Sequence, residues 1–201
     1  MNGNRIAVLP FVALLLLTAV YAQQNPQAGP IVNSAGDIRQ IDFKNFAYAG
    51  PKSEQDAKPV ELRDGKQISA GGAETSLMRV AYGDLTGDRN DEAVVLLRGQ
   101  NTRISRTLDE LFVYTLKNGK VTALAHFDGG RRGEYVLSIG SLGSNFKIED
   151  GLLVLDHAIL REGEDVPTHY YTVKYRWNGV QMAEVERSAL KPLPENMMEI
   201  G

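Results

Sequence analysis

The chain has 201 residues, 43% of them hydrophobic, with 22 Lys plus Arg against 25 Asp plus Glu and a net charge of −3. That mild acidity offers no electrostatic footprint for nucleic acid or an anionic membrane surface. With no cysteine there is no disulfide framework, thiolate nucleophile or lipid-modified cysteine, so the fold must rest on its apolar core, with a metal as the other available support.

The chain opens "MNGNRIAVLPFVALLLLTAVYAQQNPQ". Arg5 supplies a positive first region, and Ile6 to Val20 is apolar apart from Pro10 and Thr18. Val20 and Ala22 place small residues where a signal peptidase reads, which predicts a signal peptide over 1–22, cleaved after Ala22. The alternative, a retained membrane anchor, needs roughly 20 apolar residues and flanking cations. Here the run is shorter and is followed by Gln23 and Gln24. The expected destination is the periplasm or the cell exterior, with no membrane contact after cleavage. Loss of Arg5 takes the net charge to −4.

Residues 23–36, "QQNPQAGPIVNSAG", read as a flexible leader. Residues 37–188 read as a single β domain. "IRQIDFKNFAY" is strand-like, and Asp64-Gly65, Asn118-Gly119, Asp150-Gly151 and Asn178-Gly179 each separate two β-rich runs. Asn-Gly and Asp-Gly suit tight hairpin turns because both positions tolerate positive φ. In "HYYTVKYRW", Tyr171, Val173, Tyr175 and Trp177 alternate with Thr172, Lys174 and Arg176, the pattern of a half-buried antiparallel strand. "NTRISRTLDELF" has room for a helical turn or two, and 189–201 read as an irregular tail. The sum is an all-β fold, an antiparallel meander of about ten strands with little helix. A sandwich, an open barrel or a partial propeller-like sheet would accommodate it. No fixed-period repeat marks a complete propeller.

"GDLTGDRNDEAVV", residues 83–95, concentrates four acidic side chains at one bend between apolar runs. Alternate residues of a loop point the same way and can surround calcium, which takes six to eight oxygens. From Asp84 as position one, Thr86 and Asp88 fall at three and five, Asn90 at seven and Glu92 at nine. Asn90 would offer its carbonyl and Glu92 would close the shell. Without an ion, the carboxylates of Asp84, Asp88, Asp91 and Glu92 are expected to repel one another.

The spacing resembles the calcium loop of FG-GAP and VCBS repeats, Asp-x-Asn-x-Asp-Gly-x-x-Asp, and "VAYGDLTGDRNDEAVVLL" resembles a single-copy version in exported bacterial proteins. The resemblance implies Ca²⁺ held by Asp84, Thr86, Asp88, Asn90 and Glu92 between two strands. Three positions depart from it. Thr86 replaces Asn, Glu92 replaces Asp, and Arg89 stands where glycine takes a left-handed backbone, a conformation that costs other residues about 1–2 kcal/mol.

Other chemistry is less marked. If the hairpin of residues 152–177 centres near Gly163, His157 lies across from His169 and Leu155 across from Tyr171. Opposed imidazoles could form a second metal pair, but Asp156 points to the other face and no third ligand is evident, so two partly buried histidines at the end of an apolar face are the favoured reading; His126 stands apart. Arg131 and Arg132, in "FDGGRRGEYV", could clasp a carboxylate or sulfate or simply be solvated. No Gly-x-Ser-x-Gly elbow or phosphate loop occurs, and no catalytic residue can be picked out.

These readings, with the FG-GAP-like resemblance, imply a non-catalytic module that binds an extracellular or envelope ligand, protein or glycan. The alternative is a hydrolase of envelope or extracellular polymers acting through carboxylates. A periplasmic inhibitor or assembly factor would instead expose an apolar edge strand.

Overall fold

The computed structural model describes residues 36–49, 59–69, 71–101, 106–128, 134–136, 138–139, 143–144, 146–159 and 168–194. Residues 1–22, expected to form a signal peptide, nearly all of the expected leader, and Arg131 and Arg132 lie outside the described residues. Within them the chain is built of antiparallel strands, and the only helices are two 3₁₀ turns, Ile38–Gln40 and Phe43–Asn45. No described helix is long and apolar enough to cross a membrane.

A short ribbon of β1 (Ala47–Tyr48) and β2 (Val60–Glu61) precedes a five-stranded meander in chain order. The meander comprises β3 (Lys66–Ile68), β4 (Glu74–Gly83), β5 (Glu92–Asn101), β6 (Arg106–Lys117) and β7 (Lys120–Asp128). A second sheet runs β11 (Phe146–Glu149), β12 (Leu152–Ile159), β13 (His169–Trp177) and β14 (Met182–Arg187). It is extended by β8 (Glu134–Val136) on β12 and by β15 (Lys191–Pro192) on β13. A separate pair joins β9 (Ser138–Ile139) to β10 (Gly143–Ser144).

Turn chemistry sets this order. Asp64-Gly65, Asn118-Gly119 and Asp150-Gly151 each take positive φ at both residues, which matches the twist of the flanking strands. Asn178-Gly179 turns differently: only Gly179 has positive φ, and Asn178 Oδ1 accepts the N–H groups of Val180 and Gln181 at 3.0 and 2.9 Å.

Strands β5 to β7 of the meander are buried on both faces, so "AVVLL" on β5 runs apolar without alternating. Ala93, Val95 and Leu97 join Phe112, Tyr114, Val121 and Ala123 under the N-terminal segment, against Ile38, Ile41, Phe43, Phe46, Tyr48 and Leu62. Val94 and Leu96 face the other way with Leu111, Val113 and Ala125, and meet Phe146, Leu153, Leu155 and Met182 of the second sheet. The irregular pairing Val113↔Ala125, Tyr114↔Ala123 inserts Leu124 as an extra residue. That bulge is why Val121 and Ala123 serve one core and Ala125 the other. The two antiparallel sheets meet over a shared core, as the expected all-β meander requires.

Three local expectations change. Residues 106–112, read as having room for a helical turn, run as the first part of strand β6. Residues 38–45 form 3₁₀ turns where a strand was expected, because Asp37 accepts the Arg39 N–H and Asp42 accepts those of Lys44 and Asn45. The tail expected to be irregular supplies β15, beyond which Leu193 is buried.

Candidate functional site at the acidic turn

β4 ends at Gly83 and β5 begins at Glu92, and these two residues pair across the mouth of the acidic turn. Within the turn, Gly87 and Arg89 take φ of 78° and 70°. This left-handed pair folds the backbone onto the first carboxylate. Asp84 Oδ1 accepts the Gly87 N–H at 2.6 Å and Oδ2 accepts the Arg89 N–H at 2.9 Å. Asp88 Oδ1 accepts the Asn90 N–H at 2.9 Å, and that bond is the main reason its pKa lies below the usual carboxylate value.

Glu92 behaves differently from the other acids. It is 0% exposed, on the face of β5 that carries Val94 and Leu96 toward the inter-sheet core. Its Oε2 accepts the Leu85 and Thr86 N–H groups at 2.8 and 3.1 Å, and its Oε1 accepts the Thr115 hydroxyl at 2.9 Å. The Thr86 hydroxyl stands 3.4 Å from Oε1, a weak contact. Burial pushes the Glu92 pKa up, and the hydrogen bonds from Leu85, Thr115 and Thr86 partly offset it. Leu85, also buried, inserts its side chain into the same core.

Asp91 turns outward to Arg39, 2.6 Å away, and the Arg39 guanidinium also lies over the Tyr82 ring. The four acids therefore do not share one bend unrelieved: each has its own donors. The expected repulsion is relieved residue by residue, by backbone N–H groups, Thr115 and Arg39. Among the described residues, no three His, Asp or Glu side chains converge as a metal ion would require. Asp84, Thr86, Asp88 and Asn90 lie together in the turn, whereas Glu92 points beneath it.

The second sheet crowds this end of the meander. A Cβ at Gly83 would sit 2.8 Å from Ile148 Cγ2, and one at Gly151 would sit 3.5 Å from the Asp84 carbonyl oxygen. Arg79 reaches across as well, lying over Phe146 and donating to its carbonyl at 3.2 Å.

The histidine pair needs a correction in register. His157 pairs with Tyr171, His169 with Ile159 and Leu155 with Val173. A two-residue slip keeps every side chain on its face, so alternation could not detect it. His157 stacks on Tyr171 at 5.3 Å, and its Nε2 lies 3.1 Å from the Tyr175 hydroxyl. His169 Nδ1 lies 2.8 Å from the Thr168 hydroxyl, and Asp156 accepts from Thr172 at 2.6 Å. His126 is buried against Phe112, with Nε2 2.9 Å from Glu110 and no partner at Nδ1.

Three features were not read from the sequence. Thr115 reaches Glu92 only because Ala93 pairs with Tyr114, a register that sequence spacing does not reveal. Arg39 meets Asp91 from 52 residues away. On the second sheet, Arg187 lies over Tyr171 at 4.4 Å while holding Glu184 through two hydrogen bonds. A signal existed for this last pair, since Glu184 and Arg187 are three apart, but it requires the bulge opposite Lys174/Tyr175 to put both on one face.

The fold and the turn define an all-β protein with a charged, internally bonded hairpin loop. Compared with known proteins, the chain matches no family, no curated protein and no solved structure.

Proposed function

We propose that this protein is a non-catalytic binding module of the FG-GAP-like kind, exported to the periplasm or the cell exterior, whose acidic turn takes one calcium ion on its outer side. The backbone of the turn carries this reading. Arg89 keeps a left-handed conformation that costs about 1–2 kcal/mol, at the position where the resembled calcium loop has glycine. Each Asp84 oxygen accepts one N–H and retains a lone pair for a cation, and the Asp88 carboxylate, which accepts the Asn90 N–H and also meets the Asn90 and Thr86 side chains, lies beside it. Asn90 would add its carbonyl. Thr86 and Glu92 contribute least, since the Glu92 carboxylate is directed inward. A shell this incomplete belongs with weak extracellular sites, Kd about 10⁻⁴–10⁻³ M.

For the binding role, the support is the half-exposed Arg187, which covers the buried Tyr171, with the exposed Val185 two residues away in the same strand. The hydrolase alternative calls for a carboxylate of raised pKa in a cleft. Glu92 and Asp109 do have raised pKa values, but both carboxylates are enclosed and occupied, Asp109 by Arg98 at 2.9 Å. That favours the binding reading.

Calorimetric titration with calcium tests it. One ion per chain should bind in the sub-millimolar to millimolar range, and Asp84→Ala or Asp88→Ala should remove the heat. Asp91→Ala should leave it, because Asp91 is engaged by Arg39. A wild-type protein giving no heat would contradict the calcium part of the proposal.

A further inference from the structure

We propose that Glu92 closes the turn from beneath as an internal anchor, so that the turn holds its shape without metal and an ion meets only its outer carboxylates. The resembled loop assigns position nine to the ion's shell, and the geometry here points the other way. Glu92 is wholly buried, and three strong donors converge on its two oxygens: the Leu85 and Thr86 N–H groups at 2.8 and 3.1 Å and the Thr115 hydroxyl at 2.9 Å. Oε2 has both lone pairs taken, and Oε1 faces β6. Turning this carboxylate outward would leave the buried Leu85 amide, the part-buried Thr86 amide and the buried Thr115 hydroxyl without this acceptor. It would also pull on Leu85, whose side chain is seated in the inter-sheet core next to the bonded amide. The anchor thus links turn, β5 and β6 through one side chain. Its first half stands without calcium, and its second half rests on the calcium reading above.

Amide hydrogen exchange of the full chain in chelator tests the anchor directly. Leu85 and Thr86 should be protected although they lie in a turn. Glu92→Gln keeps the shape of the side chain but offers only one acceptor oxygen, so it should speed exchange at Leu85 and Thr86 by about tenfold or more relative to Val95 and Phe112 in the core. Thr115→Val removes one donor and should produce a smaller change at the same two amides. If Glu92→Gln does not fold, Thr115→Val carries the test alone. Unchanged exchange at both amides in the folded variants, with calcium heat lost in Glu92→Gln, would make Glu92 a ligand and overturn the anchor. Unchanged exchange without that loss would overturn it too. A wild type that binds no calcium would remove the calcium reading while leaving the chelator comparison decisive for the anchor.

Discussion

Arg89 is the residue at which sequence and structure meet most directly. Its place in the turn implied a left-handed backbone, and its φ is 70°. Arg89→Gly should raise the stability of the calcium-free protein by about 1 kcal/mol and tighten calcium binding, since it also removes a positive charge beside the ion. Chemical denaturation in chelator measures the first effect; an unchanged or lowered midpoint would deny the strain. Asp109 makes a second residue-scale prediction. Burial outweighs its bonds to Arg98 and raises its pKa from 3.8 to about 6. Between those values the folded state holds a proton that the unfolded chain has released. The stabilisation is therefore complete below the unfolded pKa and disappears as pH rises through about 6. Glu92 is raised in the same direction, so the useful measure is the difference between wild type and Asp109→Asn. Wild type should lose on the order of 2 kcal/mol of stability relative to the variant as pH rises from about 4 to 6. A difference that stays flat across that range would refute the raised pKa. Sequence suggested which residues form the acidic turn but not where their side chains point. Glu92 sits beside an apolar run that is buried on both faces, so no alternation announces its inward direction.

At the scale of elements, the Asp-Gly and Asn-Gly dipeptides were the most legible signals, because positive φ is a local property that the residues themselves permit. The alternation of Tyr171, Val173, Tyr175 and Trp177 was legible for the same reason: one face of β13 packs on a core and the other does not. Long-range features were not. The slip of β12 against β13, the bulge at Leu124 and the Arg39–Asp91 pair depend on partners chosen across the chain. The docking of β11 on β4 is another such feature, and it gives glycine a role no turn rule supplies. Gly83→Ala would bring a methyl to 2.8 Å from the Ile148 side chain and should cost about 1–3 kcal/mol through overpacking. Gly87→Ala meets no atom within 4 Å, so its cost comes only from its φ of 78°. If Gly83→Ala left the denaturant midpoint unchanged, the close approach of these strands would be wrong.

The whole molecule is a meander whose strands β5 to β7 are buried on both sides, by its own N-terminal segment and by a second sheet, with the acidic turn where the two sheets crowd together. All-β character could be read from composition and turns, whereas the layer formed by residues 38–48 could not, because Asp37 and Asp42 redirect an apolar stretch into 3₁₀ turns. Export is a proposal at this scale: protein recovered outside the cytoplasm of the native host should begin at or near Gln23, and an intact Met1 would contradict it. The central claim, that the turn accepts calcium as a stabilising ion on an already closed loop, is tested most directly by the melting temperature of the protein in millimolar calcium against the same protein in chelator. At ten times Kd the ion adds about 1.4 kcal/mol, a rise of a few degrees for a chain of this size. The account predicts that rise together with a cooperative transition in chelator, and loss of the rise in Asp84→Ala. Equal melting temperatures in calcium and chelator would mean that the turn is held by Glu92 and its own backbone alone.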